Sequence, residues 1–307
     1  MRGLLPKIIS KKSIILSLFL AFSCTLINAQ DTLSMQERMH KLDTASAIHF
    51  VLNNMVKDKI ADFSKQKKLL AACLSNGQLY FPMMDEELAK NKLPLELKYI
   101  TVLESHVNPN AGNGEGPTGL WQITNGTGKA LGLRNDKYID DRRNPLASTK
   151  AICAYFAKLY KMYGDWQLVI TAYQVGNGTL DKIIARRGGK KDYWALRPYL
   201  PKYASEYMAK FFAVCYVLEY HETMGITPLE AKFNPAKLDT IQITQPIGFE
   251  RMSKALNIEK SDISKLNPQY KQNFVPNENN LYVILPKEAA AVFREDPNKI
   301  YHFKLNK

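Results

Sequence analysis

The chain has 307 residues, a net charge of +13 and four cysteines. That length supports two domains, one of them large enough for a real core, and the basic excess points to an anionic polymer or surface as partner. The irregular cysteines include no Cys-x-x-Cys pair, which excludes a disulfide framework and a thiolate metal site.

The N-terminus joins the positive residues Arg2, Lys7, Lys11 and Lys12 to an apolar run from Ser13 to Leu26. This is the anatomy of a secretory signal peptide spanning residues 1–29, with cleavage expected after Ala29. The run falls short of the ~20 apolar residues that a membrane span needs. Ala21-Phe22-Ser23-Cys24 also resembles a lipoprotein box. Soluble export is therefore favoured, with outer-membrane attachment through a lipidated Cys24 as the other outcome. Processing takes four cations and no acids, leaving +9 on the mature chain. Its Lys and Arg residues are scattered, without a nucleic-acid motif or a long basic helix face, so no nucleic acid is expected. Of the remaining Cys73, Cys153 and Cys215, the last two lie in apolar helical patterns and read as buried small hydrophobes. One disulfide stays open, with its pairing unassigned.

Residues 30–90 read as a helical prefix. Ile48, Val51, Leu52, Met55, Ile60 and Phe63 recur mostly at spacings of three and four, the stripe of an amphipathic helix. Lys65 to Cys73 and Tyr80 to Lys90 form two further helical segments. Pro94 suits the first turn of the next helix, whose packed face is Leu97, Ile100, Val102 and Leu103, with Glu104 at its last turn. A loop dense in turn residues follows from Asn108 to Pro117. The chain reads as helical again from Trp121, over Ser148 to Tyr163, over Asp165 to Tyr173, and over a long apolar stretch from Tyr203 to Met224. After Pro228 the character changes. Thr240 to Thr244 and Leu281 to Leu285 read as strands flanking short helices at Phe249–Leu256 and Ser261–Leu266.

Desolvation at the end of an apolar helix would raise the pKa of Glu104 and keep it protonated, as a general acid requires. By position alone the bland alternative, a solvated helix-end glutamate, is the commoner case. His106 points to another side of the helix and reads as a surface or core histidine. Trp121 reads as a core aromatic. Asp140 and Asp141 are the second-carboxylate candidates, with an ion-pair network to Arg142 and Arg143 preferred for them.

The ordered motifs carry a resemblance. Glu104-Ser105-x-x-Asn108-Pro109-x-Ala111 and Gly119-Leu120-Trp121-Gln122-Ile123 resemble the signature of family 1 lytic transglycosylases, which cut bacterial peptidoglycan. Tyr138 to Pro145, with its Asp-Arg-Arg segment, is similar to their membrane-bound D branch. Asp165-Trp166 and Ala172-Tyr173-Gln174-Val175-Gly176-Asn177-Gly178 also match, as do Tyr193-Trp194, Leu200-Pro201 and Tyr207, so the resemblance covers residues 90–225.

It implies a mainly α fold with a goose-lysozyme-like helical catalytic domain at residues 91–228. It also implies cleavage between N-acetylmuramic acid and N-acetylglucosamine with a 1,6-anhydro product, in the periplasm, on peptidoglycan glycan strands and without cofactor or metal. Glu104 would be the sole acid/base, and Gln122, Tyr173, Asn113, Gln174 and Tyr207 would contact substrate. Three departures from the family pattern bear on these contacts. Asn113 stands for a serine, Gln174 for an asparagine, and Tyr203-Ala204 for a Glu-Thr pair. The segment 238–286 resembles a βααβ LysM domain lacking the usual glycine before Asp239-Thr240, and a peptidoglycan-binding role is slightly preferred over a structural cap. A hydrolytic muramidase of the same fold and a weakly active wall-binding or scaffold protein are the alternative readings. The oligomeric state is unassigned.

Overall fold

The computed structural model describes residues 33–305. The expected signal peptide and Cys24 lie outside them. Three helices open the described chain: α1 (Met35–Ala45), α2 (Asn54–Ser64) and α3 (Lys67–Lys90). A capping box between Ser34 and Glu37 starts α1. Residues 46–53 form an irregular connecting segment that bends at 46–48, contrary to the continuous helix expected there, although Ile48 and Phe50 are buried. The three-to-four spacing of Ile48, Val51, Leu52 and Met55 therefore runs across a connecting segment and the first turn of α2 rather than along one helical face. The two segments expected in 65–90 are one helix that runs through both Gly77 and Pro82. A Cβ on Gly77 would stand 2.3 Å from the Phe81 ring, so the glycine makes room for that ring.

A 3₁₀ turn, Leu95–Tyr99, leads into the short α4 (Ile100–Ser105). Helix α5 (Asn125–Ala130) follows a loop that includes Trp121 to Thr124, where helix was expected. Then come α6 (Pro145–Tyr163), α7 (Trp166–Val175), α8 (Asn177–Arg186), the single turns α9 (Tyr193–Leu196) and α10 (Lys202–Ser205), and α11 (Tyr207–Glu219). Asn144 caps α6 with Pro145 in its first turn, and Asp165 caps α7. Every residue of α11 from Phe211 to Leu218 is buried, so this helix is the spine on which the others pack. Cys73, Cys153 and Cys215 are buried and free.

A second, separate core is built by the C-terminal segment. Strand β1 (Leu238–Ile243) pairs antiparallel with β4 (Leu281–Pro286), and β2 (Ile247–Gly248) with β3 (Phe274–Val275). Between them lie α12 (Phe249–Leu256) and α13 (Lys260–Leu266), giving the anticipated strand-helix-helix-strand order. Ile241, Ile243, Val283 and Leu285 alternate inward. Two helices beyond that expectation, α14 (Lys287–Glu295) and α15 (Pro297–Tyr301), complete the core with Phe293 and Ile300.

The two cores meet along one line. Ile139 bridges Tyr270, the Asp140 N–H donates to the Gln269 carbonyl at 2.9 Å, and the Lys271 N–H donates to the Tyr138 carbonyl at 2.8 Å. Ile139 itself is buried in the C-terminal core. The Arg134 guanidinium grips the Glu278 carboxylate with two nitrogens, and the Tyr138 and Phe274 rings lie 5.9 Å apart.

Candidate active site

Glu104 occupies the last turn of α4, and the chain turns away immediately after it. His106 and Val107 both take left-handed backbone (φ 53° and 57°), an unfavourable state for a β-branched residue that the full burial of Val107 compensates. The buried Ser105 hydroxyl lies 2.8 Å from the Leu120 carbonyl and 3.0 Å from the Thr101 carbonyl. It thereby ties the end of α4 to the Gly-Leu-Trp-Gln loop. Trp121 is fully buried with its indole N–H donating to Thr149, as a core aromatic.

Three helices converge on the acid. Gln174 of α7 donates its amide to Glu104 Oε1 at 2.7 Å, and Tyr207 at the start of α11 donates its hydroxyl to the same oxygen at 2.6 Å. Oε2 has no hydrogen-bond partner among the described residues, so it is the oxygen open to a ligand. Burial raises the Glu104 pKa above the ordinary carboxylate value, against the two donors, which favour the ionised form. The same burial, aided by the Glu104 charge, holds Tyr173 and Tyr207 protonated as donors.

Glu104 opens on a cleft of about 480 Å³ whose wall includes Gln122, Tyr155, Tyr173 and Gln174. Among the described residues lining it, Glu104 is the only carboxylate. Asp140, one candidate for a second, is fully buried in an ion pair with Arg142 at 2.8 Å. Asp141 accepts the Arg134 backbone N–H, and Arg143 donates to the Gly112 carbonyl, so only half of the expected Asp-Arg network forms.

Arg142 is the hub of the loop. Besides Asp140 it donates to the carbonyls of Gly114, Gly116 and Ile123 at 2.6–3.3 Å. Gly119 is obligatory beside it. Its φ is +84°, and a Cβ there would stand 1.9 Å from the Arg142 carbonyl oxygen.

The sequence-predicted residues fall into four groups. Gln174 touches the acid and lines the cleft. Tyr207 touches the acid without lining the cleft and holds the carboxylate from behind. Tyr173 lines the cleft, and its hydroxyl donates to the Trp121 carbonyl rather than to Glu104. Gln122 lines it too, with its amide folded back onto the Gly119 carbonyl at 2.9 Å. Asn113 does not reach the cleft. Its side-chain oxygen closes a turn on the backbone N–H groups of Glu115 and Gly116, because a loop rich in glycine needs that local acceptor. Tyr155, Thr124 and Thr127 line the cleft and were not singled out from sequence. Tyr155 was hidden within the apolar stripe of α6.

Comparison with known proteins adds a family context. The model described as "Transglycosylase SLT domain" matches residues 82–195, and that described as "Lytic transglycosylase MltD, LysM-like domain" matches residues 237–302. "Membrane-bound lytic murein transglycosylase D" of Escherichia coli (strain K12) is 27% identical over 247 residues, covering 79% of this chain and 54% of that protein. The chain thus spans about half the length of that relative. "Peptidoglycan transglycosylase gp16" of Escherichia phage T7 is 40% identical over 86 residues, covering 27% of this chain and 6% of that protein. The solved 70 kDa soluble lytic transglycosylase of Escherichia coli superposes on 50% of this chain and 27% of its own. The TM-score is 0.39 at 17% identity, too distant to argue from.

Proposed function

With an SLT transglycosylase domain followed by an MltD-type LysM-like domain, this chain belongs to the family 1 lytic transglycosylases, and on that premise we propose that it cleaves peptidoglycan glycan strands. The bond cut is the β-1,4 link between N-acetylmuramic acid and N-acetylglucosamine. The observation that carries this reading is the single cleft carboxylate whose pKa burial raises.

A raised pKa lets Glu104 start protonated. It gives its proton to the glycosidic oxygen as the C1–O bond breaks, and the N-acetylglucosamine leaves as an alcohol. The N-acetyl carbonyl of the muramic residue stabilises the positive charge at C1. Tyr207 and Gln174 meanwhile stabilise the carboxylate left behind. Glu104, now a base, takes the proton of the muramic C6 hydroxyl as its oxygen bonds to C1. The 1,6-anhydro ring closes and the acid is regenerated. Ordinary retaining or inverting hydrolysis needs a second carboxylate, and the cleft lining offers none among the described residues.

The proposed organisation is a signal peptide at 1–29, a helical prefix at 30–90, a catalytic domain at 91–228 and a LysM-like glycan-binding module from residue 238. Export to the periplasm as a soluble protein, after removal of residues 1–29, completes the reading, with anchoring through a lipidated Cys24 as the other outcome. The test is to digest purified sacculi and weigh the soluble muropeptides. Anhydro-muropeptides that disappear with Glu104→Gln support the proposal. Reducing-end products would assign a hydrolase, and the absence of soluble products would leave a wall-binding protein.

A further inference from the structure

The loop that walls the cleft has a second face. Residues 110–115 and 268–273 form the two sides of an open polar groove of about 580 Å³ between the two cores. Its walls are held together by the Ile139–Tyr270 bridge and the flanking backbone hydrogen bonds, so the groove is preformed. Asn113, absent from the Glu104 cleft, lines this groove with Asn110, Tyr270 and Asn273. The Asn113 and Asn273 side-chain oxygens are already engaged, by the backbone N–H groups of Glu115 and Gly116 and by the Ser264 hydroxyl, so these side chains offer their amide N–H groups to the oxygens of a sugar chain.

Charge sets the ligand more narrowly. Arg143 lines the groove and is part-buried, yet no carboxylate lies within ion-pair distance of it among the described residues. Among the described residues its sole side-chain hydrogen bond goes from Nη2 to the Gly112 carbonyl at 2.9 Å, leaving the rest of its fork free. Asp140, which also lines the groove, is paired with Arg142 at 2.8 Å and acts on Arg143 only through space. On the opposite wall, Lys271 donates to the Asn135 side-chain oxygen at 2.6 Å and to the Asp136 carbonyl, leaving one ammonium donor. Arg143 and Lys271 thus line the groove together with one exposed acid, Glu115. A part-buried guanidinium with no carboxylate in ion-pair contact is suited to an anion.

We propose that this groove is a second polymer-binding site, shared by the two cores, which receives a carboxylate carried by the glycan strand, with Arg143 as its principal contact. The identity of the strand rests on the peptidoglycan reading above. Two sources of carboxylate exist on such a strand: the lactyl group of muramic acid once peptides are removed, and the acidic residues of the attached peptides.

Equilibrium binding to Glu104→Gln protein, which leaves the polymer uncut, tests the site. Three soluble ligands of matched length are used: neutral chito-oligosaccharide, peptide-free glycan strands and peptide-bearing strands. Adding Arg143→Gln is expected to weaken a carboxylate-bearing ligand about tenfold at low salt. Arg143→Lys should retain most of that affinity, and the neutral ligand should change less than about twofold. Loss on both charged ligands assigns the lactyl carboxylate as sufficient, and loss on the peptide-bearing strand alone assigns the peptide. Equal weakening of all three ligands, or none, overturns the proposal. If unmodified protein leaves sacculi uncut, the enzymatic reading fails, and this binding measurement is unaffected.

Discussion

Glu104 and Tyr207 stand 103 positions apart in the chain and 2.6 Å apart at Oε1 and Oη. The bond joins the end of α4 to the start of the most deeply buried helix, α11, so the acid is anchored to the spine of the larger core. Gln174 donates to the same oxygen from a third helix. Both donors favour the carboxylate, while burial favours the acid and outweighs them. The site thus balances two protonation states, as a group that gives and then takes a proton requires.

Glu104→Gln should abolish cleavage and change how stability depends on pH. A carboxyl held above its ordinary value of 4.5 in the folded state contributes stability below that value, and the contribution is lost as pH rises through the folded pKa. The variant should therefore match the parent near about pH 4 and exceed it in urea midpoint near about pH 8. A gap that fails to widen with pH would show that the carboxyl is not held above its usual range.

Tyr207→Phe removes a donor that favours the ionised carboxylate. The Glu104 pKa should rise further, moving the alkaline limb of the cleavage profile upward by about one pH unit, the effect of a charge-assisted hydrogen bond worth ~1.4 kcal/mol. The measurement is the initial rate on sacculi across pH. A limb that stays in place or falls would contradict the assigned role of the hydroxyl.

Arg142→Met should cost about 3–5 kcal/mol, because it leaves Asp140 charged and unpaired in a dry site. Adding Asp140→Asn to that variant should recover part of the loss. Chemical denaturation of the three variants gives the coupling directly. A double variant as unstable as the sum of the singles would mean that the two side chains do not act as a pair.

Gly119→Ala places a methyl group where the Arg142 carbonyl stands and on a backbone of positive φ. The expected loss is at least about 2 kcal/mol, with a further fall in cleavage rate because Gln122 shares the turn. An alanine variant with parental thermal stability would refute the close approach.

Much of the site was legible because its residues sit in ordered motifs. Glu104, Gln122, Tyr173, Gln174 and Tyr207 each come from a recognisable segment, and Gln174 and Tyr207 reach the acid. What the motifs lack is direction. Asn113 occupies a family contact position, yet its side-chain oxygen is captured by the nearest backbone donors of a glycine-rich loop. Tyr155 was concealed because a cleft-lining aromatic and a core aromatic share one helical spacing.

The prefix misled for a related reason. Ile48, Val51 and Leu52 recur at helical intervals although the segment 46–53 is not helical, while the two expected segments, Lys65 to Cys73 and Tyr80 to Lys90, are joined in the single helix α3. Arg142 as loop hub was half visible. An Asp-x-Arg pair beside a glycine loop signals buried pairing, but the three carbonyls it also serves carry no sequence mark.

The hydrogen bond from Asp140 to Gln269 also orders events in time. Asp140 pairs with Arg142, which holds the carbonyls of Gly114, Gly116 and Ile123 along the loop beside the cleft. The backbone partner of Asp140 is synthesised 129 residues later. A chain emerging N-terminus first cannot make this contact until residue 269 is available. A chain truncated before residue 269 would therefore carry Glu104 while its Asp140–Arg142 loop lacked this brace from the second core.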